Sequence, residues 1–268
     1  MHDCVISFNV RGLNACFTDP ITKAGGEQYS YPVPTYAALR GIVDNIYYKP
    51  TFKWHIRRVR VLNKIQYEVK ALKYMRITDN IELSRPAKPP KNVKEAELGF
   101  ATILQDVSYN IEAEMYWDES HPELRADRNP VKHMAIAERS LKAGGRRVVY
   151  LGKREGNCYG EVTPCAFEDG KGFYDNVDEI SFGIMVHGIT YKNESRNNRK
   201  EARLWLPVMR NGVIEFPWPS ECTTTVPLAA GKEKPEDIKP DSNQQKYELG
   251  LDIKSYREEA AELWSSTD

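Results

Sequence analysis

The chain has 268 residues, 41% of them hydrophobic, which is enough for one large packed domain or for one domain with a small second one. No apolar stretch approaches the roughly 18 to 20 residues that a membrane-spanning helix needs. The five cysteines are scattered and form no CxxC pair, which argues against a disulfide framework and predicts reduced thiols in a cytoplasmic protein with no membrane partner.

The formal net charge of zero conceals an uneven distribution of charge along the chain. The segment from Lys53 to Arg76 contains eight Lys and Arg residues and one acidic residue. The segment from Arg128 to Arg154 also contains eight Lys and Arg residues and one acidic residue. The segment from Lys232 to Asp268 instead carries ten acids and six bases. Because phosphates respond to the local field, the basic segments favour a nucleic-acid partner, with two ordinary solvated faces as the alternative.

The first elements in chain order are a strand and a helix. Val5 to Val10 alternates apolar and polar residues, which is typical of a strand, and a long loop follows from Arg11 to Pro34. A helix is predicted from Thr35 to Tyr47, with Thr35 as its cap and Pro50 beyond its end. Its apolar face is formed by Tyr36, Leu39, Val43 and Ile46.

Strand patterns dominate the next part of the chain. β-branched residues predict strands over Lys53 to Leu62 and Ile65 to Leu72. The polar stretch from Ile77 to Ala101 contains three prolines and no clear period, so we interpret it as an excursion from the core. Strict alternation from Val107 to Met115 then predicts a half-buried strand.

A second helix is predicted to begin at Asn129, which can cap it, with Pro130 in its first turn. Met134, Ala137 and Leu141 form its predicted buried stripe. Gly144-Gly145 ends the helix and is followed by Arg146-Arg147. A glycine pair between basic residues can also let the backbone approach a phosphate, so a plain helix cap and a phosphate-binding loop are both open.

These elements predict an α+β fold in which residues 1–175 form a ferredoxin-like (RRM-like) βαββαβ domain with an excursion near 77–101. Strand patterns and the hairpin signal Asn211-Gly212 predict a small antiparallel β-sheet domain over residues 176–225. Residues 226–268 have the polar composition of a partly disordered tail.

Residue spacing gives no indication of a metal or a nucleotide cofactor. The five histidines have no close pairing, the acids form no tight cluster, and there is neither a GxGxxG nor a Walker sequence. We therefore expect a mechanism without metal and without cofactor.

Lys132-His133 is the most informative pair, because it falls in the first turn of the second helix, where free N–H groups and the helix dipole attract phosphate. Histidine moves protons near neutral pH, and lysine can neutralise a phosphorane. An exposed helix start with an incidental histidine is the alternative.

RNA carries its own 2′-OH nucleophile, so the side chains of His, Tyr and Lys are sufficient to cleave it without a metal. Tyr47-Tyr48 supplies two phenols, and only one of these two side chains need face the core.

Taken together, the motifs resemble the d subtype of the fifth Cas family, within the RAMP superfamily. The matching segments are spread in order from about residue 8 to residue 222. They include Cys16-Phe17-Thr18-Asp19-Pro20, Pro34-Thr35-Tyr36, Ile46-Tyr47-Tyr48-Lys49-Pro50, Asp127-Arg128-Asn129, Lys132-His133 and the run from Arg139 to Arg147. Many family members have Trp at the position of Tyr48.

The resemblance implies cleavage of CRISPR repeat RNA at the base of its hairpin, by 2′-OH attack that leaves a 2′,3′-cyclic phosphate. The family's catalytic tyrosine falls on Tyr47, and its Lys-His pair falls on Lys132 and His133. The implied partners are repeat and guide RNA and the backbone and large subunits of a type I-C effector complex, with duplex DNA as a further candidate. For the repeat hairpin we predict contacts from Lys142, Gly144, Gly145, Arg146 and Arg147. A subunit that caps the guide 5′ end without cutting is the alternative.

Overall fold

The computed structural model describes residues 4–20, 22, 28–74, 97–154, 156–192, 194 and 199–228. The predicted tail beyond residue 228, and the predicted excursion up to residue 96, lie outside the described residues. The chain divides into two compact units, and the larger combines Met1–Leu72 with Gly99–Leu228. Within the described part of the chain, no helix has both the length and the apolar character needed to cross a membrane.

The architecture is α+β and mostly antiparallel, which confirms the predicted fold class at that level. The elements in chain order are β1 (Val5–Ala15), β2 (Gln28–Tyr29), α1 (Tyr36–Ile46), β3 (Phe52–Val61), β4 (Tyr67–Tyr74), β5 (Glu97–Trp117), a 3₁₀ helix (Pro122–Asp127), α2 (Pro130–Lys142), β6 (Val149–Tyr150), β7 (Tyr159–Pro164), β8 (Ile180–Ser181), β9 (Met185–Thr190), β10 (Glu201–Trp205), β11 (Val208–Arg210), β12 (Val213–Glu215) and β13 (Thr224–Pro227).

The main sheet has the strand order β6-β7-β1-β5-β3-β12-β11-β8, and β5 lies at its centre. β5 pairs antiparallel with β1 on one side and with β3 on the other. β1 runs to Ala15, opposite Leu104, so the prediction that it ends at Val10 was too short. Likewise β5 begins at Glu97, inside the predicted excursion, because ladder pairing continues where the apolar alternation has stopped.

The alternating apolar residues predicted in β5 all lie in the core: Val107, Tyr109, Ile111, Ala113 and Met115. The opposite face is covered as well, since Asn110 and Glu112 are buried there. Glu112 accepts two hydrogen bonds of 3.0 Å from Arg58, and the Asn110 amide donates to the carbonyl of Phe167 at 3.0 Å. Buried polar groups that are paired in this way cost little, so β5 is covered on both faces over this stretch.

Helix α1 forms as its sequence predicts. Thr35 Oγ1 accepts a hydrogen bond from the Ala38 N–H at 3.2 Å, and the predicted apolar face is buried. The helix ends at Ile46, and Tyr47 already has extended backbone with φ −156° and ψ 120°. Successive side chains of extended backbone point in opposite directions, which explains why Tyr47 is buried while Tyr48 is 57% exposed.

Helix α2 begins as predicted, and two of the three residues of its predicted stripe, Ala137 and Leu141, are buried. Asn129 Oδ1 accepts from the Lys132 N–H at 3.1 Å, and Pro130 occupies the first turn. The buried residues are His133, Ala137, Ser140 and Leu141, whereas Met134 is only partly buried. The helix is therefore rotated so that His133 faces inward, and the alternative that placed this histidine at an exposed helix start was wrong about its exposure.

The turn after α2 has the geometry of a Schellman motif. The Gly144 N–H donates to the Leu141 carbonyl at 2.9 Å, and the Gly145 N–H donates to the Ser140 carbonyl at 2.8 Å. Both glycines have positive φ, 81° and 96°. The glycine pair thus serves as a helix cap, and its role toward phosphate stays a prediction.

The C-terminal strands are shared between two sheets. β9, β10 and β13 form a separate three-stranded sheet. The predicted hairpin at Asn211-Gly212 joins β11 to β12, with φ of 48° and 79° at the two turn residues. However, β12 pairs with β3 and so extends the main sheet, because the outer edge of β3 is open to another strand. The domain boundaries near residues 175 and 225 stay a prediction.

Candidate active site

Tyr47 and His133 lie 86 residues apart in the chain and meet in the structure. The phenol Oη of Tyr47 is 2.8 Å from Nδ1 of His133. Tyr47 follows the last residue of α1, and His133 lies in the first turn of α2, so the contact joins the two helices. Both side chains are buried, with 1% and 0% exposure, among the rings of Phe52 and Trp117.

The second hydrogen bond of His133 fixes its tautomer. Nε2 is 2.8 Å from the main-chain carbonyl oxygen of Asp127. A carbonyl can only accept, so Nε2 carries a proton, and in the neutral ring Nδ1 is left as an acceptor. Tyr47 O–H therefore donates to Nδ1, in the arrangement that lets the imidazole take a proton from the phenol.

Lys132 lies beside this pair and forms an ion pair with Asp127. Its ammonium contacts Oδ1 of Asp127, and its side chain is 50% exposed. The other carboxylate oxygen of Asp127 accepts from Thr51 Oγ1 at 2.9 Å. The hydrogen bonds from Lys132 and Thr51 lower the pKa of Asp127, and the hydrogen bond to Asp127 raises the pKa of Lys132.

Arg146 covers the phenol of Tyr47. Its guanidinium carbon lies 4.6 Å from the centre of the Tyr47 ring, and its Nε donates to Ser140 Oγ at 3.1 Å. The Arg146 N–H also donates to the carbonyl of Asn45, at 3.2 Å, which ties the turn after α2 to the end of α1. Burial raises the pKa of Tyr47, the charges of Arg146 and Lys132 lower it, and the charge of Asp127 raises it.

Of the site residues predicted from the sequence, the structure brings together Tyr47, Lys132, His133 and Arg146. Lys142 and Arg147 are exposed near the same helix end, as is Gly144, and Gly145 is half-buried. Gly145 lies against the last turn of α1: a Cβ built on it would be 3.8 Å from Ile46 Cγ1. The turn between α2 and β6 is therefore part of the wall of the site.

Two contributors were missed in the sequence: Asp127 and Thr51. Asp127 lies two residues before the cap of α2 and holds both His133 and Lys132. Its place in the run Asp127-Arg128-Asn129 was a usable signal, because that run is part of the family resemblance. Nothing in the sequence marks Thr51, which lies in the turn before β3.

The arrangement is suited to proton transfer next to an anion. An imidazole in contact with a phenol can relay a proton, and the positive charges of Lys132 and Arg146 both act on that phenol. The N-terminus of α2 adds the positive end of a helix dipole, although Asn129 already accepts the N–H groups of Lys132 and His133. Among the described residues, no three or more His, Cys, Asp or Glu are grouped so that they could hold a metal ion.

The chain is similar to CRISPR-associated proteins over most of its length. The Cas5d family model, described as CRISPR-associated protein (Cas_Cas5), matches residues 5–217. The CRISPR pre-crRNA endoribonuclease Cas5d of Thermus thermophilus is 32% identical over 155 residues, which is 58% of this chain and 62% of that protein. The protein of the same name from Mannheimia succiniciproducens is 28% identical over 228 residues, covering 79% of this chain and 94% of that one.

Two solved structures resemble the chain over most of its length. A crystal structure of a CRISPR-associated protein has a TM-score of 0.65 and 35% identity, covering 83% of this chain and 96% of the other. SMU1763c from Streptococcus mutans has a TM-score of 0.64 and 33% identity, with the same two coverages. The chain belongs to the Cas5d family of CRISPR-associated proteins.

Proposed function

We propose that this chain is a metal-independent endoribonuclease that cleaves precursor CRISPR RNA at the base of the repeat hairpin and keeps the resulting guide RNA in a type I-C effector complex. The observation that carries the proposal is the 2.8 Å contact between Tyr47 Oη and His133 Nδ1, with Lys132 and Arg146 beside it. Family membership supports it, because both curated relatives above bear the name of a pre-crRNA endoribonuclease.

In this mechanism the RNA supplies the nucleophile. The 2′-oxygen attacks the adjacent phosphorus and loses its proton, and the bond from phosphorus to the 5′-oxygen breaks. The products are a 2′,3′-cyclic phosphate and a 5′-hydroxyl. Both ring nitrogens of His133 are engaged inside the protein, so protons pass between RNA and imidazole through the phenol of Tyr47. The phenol gives its proton to Nδ1 as it accepts one, and the reverse transfer protonates the leaving oxygen.

Lys132 stabilises the extra negative charge of the phosphorane. Its ammonium is half exposed and lies at the N-terminus of α2, where a phosphate is favoured. Because Tyr47 is only 1% exposed, RNA reaches its oxygen when a covering group moves aside. Arg146 is exposed and stacked on the phenol ring, so a phosphate that attracts its guanidinium also uncovers the phenol.

The proposed RNA-binding surface surrounds this opening. It comprises Lys142, Gly144, Gly145, Arg146 and Arg147, and it contacts the hairpin through phosphates and shape. The strand order β7-β1-β5-β3, with α1 and α2 as the connections, supports a ferredoxin-like arrangement of residues 1–175. The proposed partners are repeat and guide RNA and the backbone and large subunits of the complex, and duplex DNA is a candidate to be tested separately.

The deciding experiment incubates purified protein with repeat RNA in excess EDTA. We expect one cut at the hairpin base with a 2′,3′-cyclic phosphate end, and no cut when the 2′-OH next to the scissile phosphate is replaced by hydrogen. Tyr47→Phe should slow single-turnover cleavage by about 100-fold, as expected for loss of a proton-transfer group, whereas Tyr48→Phe should leave the rate within twofold.

Two other outcomes of this experiment would favour a different function. RNA that is bound but intact would favour a subunit that caps the guide 5′ end without cutting. Cleavage that appears only after Mg²⁺ is restored, and that tolerates the 2′-deoxy substrate, would show a metal-dependent nuclease.

A further inference from the structure

We propose that Asp127 is the positioning residue of this site: its main-chain carbonyl selects which nitrogen of His133 faces Tyr47, and its carboxylate holds the Lys132 ammonium beside them. The inference rests on the proposed function and extends it to a residue outside the tyrosine, lysine and histidine. Asp127 is the last residue of the 3₁₀ helix and lies just before the cap of α2.

The carbonyl of Asp127 is held in place by two donors. It accepts from the Asn129 N–H at 2.8 Å and from His133 Nε2–H at 2.8 Å. An oxygen that receives two hydrogen bonds has both lone pairs engaged, so its direction is well defined. Because that oxygen cannot donate, the Nδ1–H tautomer of His133 would lose this hydrogen bond and would also place a proton toward Tyr47 Oη.

The carboxylate of Asp127 connects three parts of the fold. Oδ1 contacts the Lys132 ammonium on α2, and Oδ2 accepts from Thr51 in the turn before β3. Thr51 is 2% exposed, so the hydrogen bond ties the carboxylate to a buried residue, whereas the Lys132 side chain is half exposed. The ammonium is therefore held by a fixed carboxylate at a place from which it can still reach a phosphate.

The same carboxylate adjusts the charge around the phenol. The groups facing Tyr47 are His133 and Lys132 from α2, Arg146 from the turn after it, and Asp127 from the 3₁₀ helix. Asp127 raises the pKa of Tyr47, while Arg146 and Lys132 lower it. Removing the negative charge of Asp127 should thus lower the pKa of Tyr47 and also that of Lys132, whose pKa Asp127 raises.

The test uses Asp127→Asn, which keeps the main-chain carbonyl and an acceptor for Thr51 but removes the charge. Glu123→Gln is the matched control, because it makes the same change at an exposed position of the same 3₁₀ helix. Single-turnover cleavage of repeat RNA is measured across pH. We expect Asp127→Asn to lower the rate about tenfold, as for a lost charged hydrogen bond, and to move the alkaline limb of the profile to lower pH. Asp127→Glu should restore the wild-type limb.

A second readout does not depend on cleavage. Nitrogen NMR of the RNA-free protein reports which nitrogen of His133 carries the proton, and we expect Nε2–H. A Nδ1–H tautomer, or a pH profile of Asp127→Asn that matches Glu123→Gln, would overturn the inference. If the wild-type protein fails to cleave, the proposed function falls, and the NMR result still decides whether Asp127 positions His133.

Discussion

Among the described residues, two buried tyrosine–histidine pairs are joined by a hydrogen bond, and one of them is the candidate active site. Tyr47 Oη is 2.8 Å from Nδ1 of His133, and Tyr36 Oη is 3.3 Å from Nδ1 of His55. All four side chains are 3% exposed or less. Residue type, burial and the pairing of atoms therefore do not distinguish the pairs.

The residues around each pair distinguish the two pairs. The His55 ring stacks on Trp218 at 3.7 Å, and Tyr36 stacks on His187 at 4.2 Å, so this second pair is part of an aromatic cluster. Burial lowers the pKa of His55 and His187 to about 4. The first pair instead has Lys132, Asp127 and Arg146 around it and a helix N-terminus next to it. Charges also act on the second pair, from Arg40 and Arg203 on Tyr36 and from Glu221 on His55. The candidate site is distinguished by charged residues in direct contact with the pair, since Arg146 lies on the phenol ring and Asp127 accepts from the imidazole.

Removing each histidine gives the largest expected difference between the pairs. His133→Ala should lower the single-turnover cleavage rate by about 100-fold or more while RNA binding survives, because a proton-transfer group is lost. His55→Ala, which removes a ring of similar burial, should lower the stability to urea but leave the rate constant within about twofold. Equal loss of activity in both variants would make His133 a structural residue only.

Removing one arginine near each pair should also distinguish the two regions, through a smaller effect on the salt dependence of RNA affinity. If three phosphates are contacted, affinity for repeat RNA should fall roughly 20-fold to 50-fold between 50 and 200 mM salt, because bound counterions are released. Arg147→Ala should reduce that salt slope by about one unit. Arg57, near His55, is already paired with Glu112 and Glu114 at 3.6 and 3.9 Å, so Arg57→Ala should leave the slope unchanged. Fluorescence anisotropy with labelled repeat RNA measures both slopes, and identical slopes in the two variants would contradict the assigned RNA surface.

The smallest expected effect is that of Tyr36→Phe. The change removes the 3.3 Å hydrogen bond with His55 and the phenol's interaction with the Ile56 main chain, so the free energy of unfolding should fall by about 1 kcal/mol for each hydrogen bond lost. The cleavage rate should not change, in contrast to Tyr47→Phe. Urea denaturation and single-turnover cleavage on the same preparation provide both numbers. A tenfold slower rate in Tyr36→Phe would mean that the two pairs are coupled.

Local signals in the sequence predicted the start of α2, its cap at Asn129 and the Lys132-His133 pair, because helix starts depend on neighbouring residues. The rotation of α2 was missed, because both Met134 and His133 are compatible with the spacing to Ala137 and Leu141, and hydropathy favours methionine. Pairing across the sheet decides the length of β1 and β5, and no local pattern carries that information.

The composition of the site depends on contacts distant in sequence. Nothing local places Tyr47 against His133, and the family resemblance supplied that pairing. Asp127 was missed because it contacts His133 through its main-chain carbonyl, and every residue has a main-chain carbonyl. The hairpin at Asn211-Gly212 was predicted from two residues, yet the sheet it joins depends on the open edge of β3.

The Schellman turn after α2 sets the distance between the helix and Arg146. With Gly144 and Gly145 both in the left-handed region, the chain reverses within two residues and delivers the next N–H to Asn45 and the guanidinium to the Tyr47 ring. The length of this turn therefore determines how far the Arg146 guanidinium lies from the Tyr47 ring. One residue inserted after Gly145 would carry the guanidinium away from the phenol while Tyr47, Lys132 and His133 stayed in place, so the length of this loop can alter the candidate site without altering those three residues.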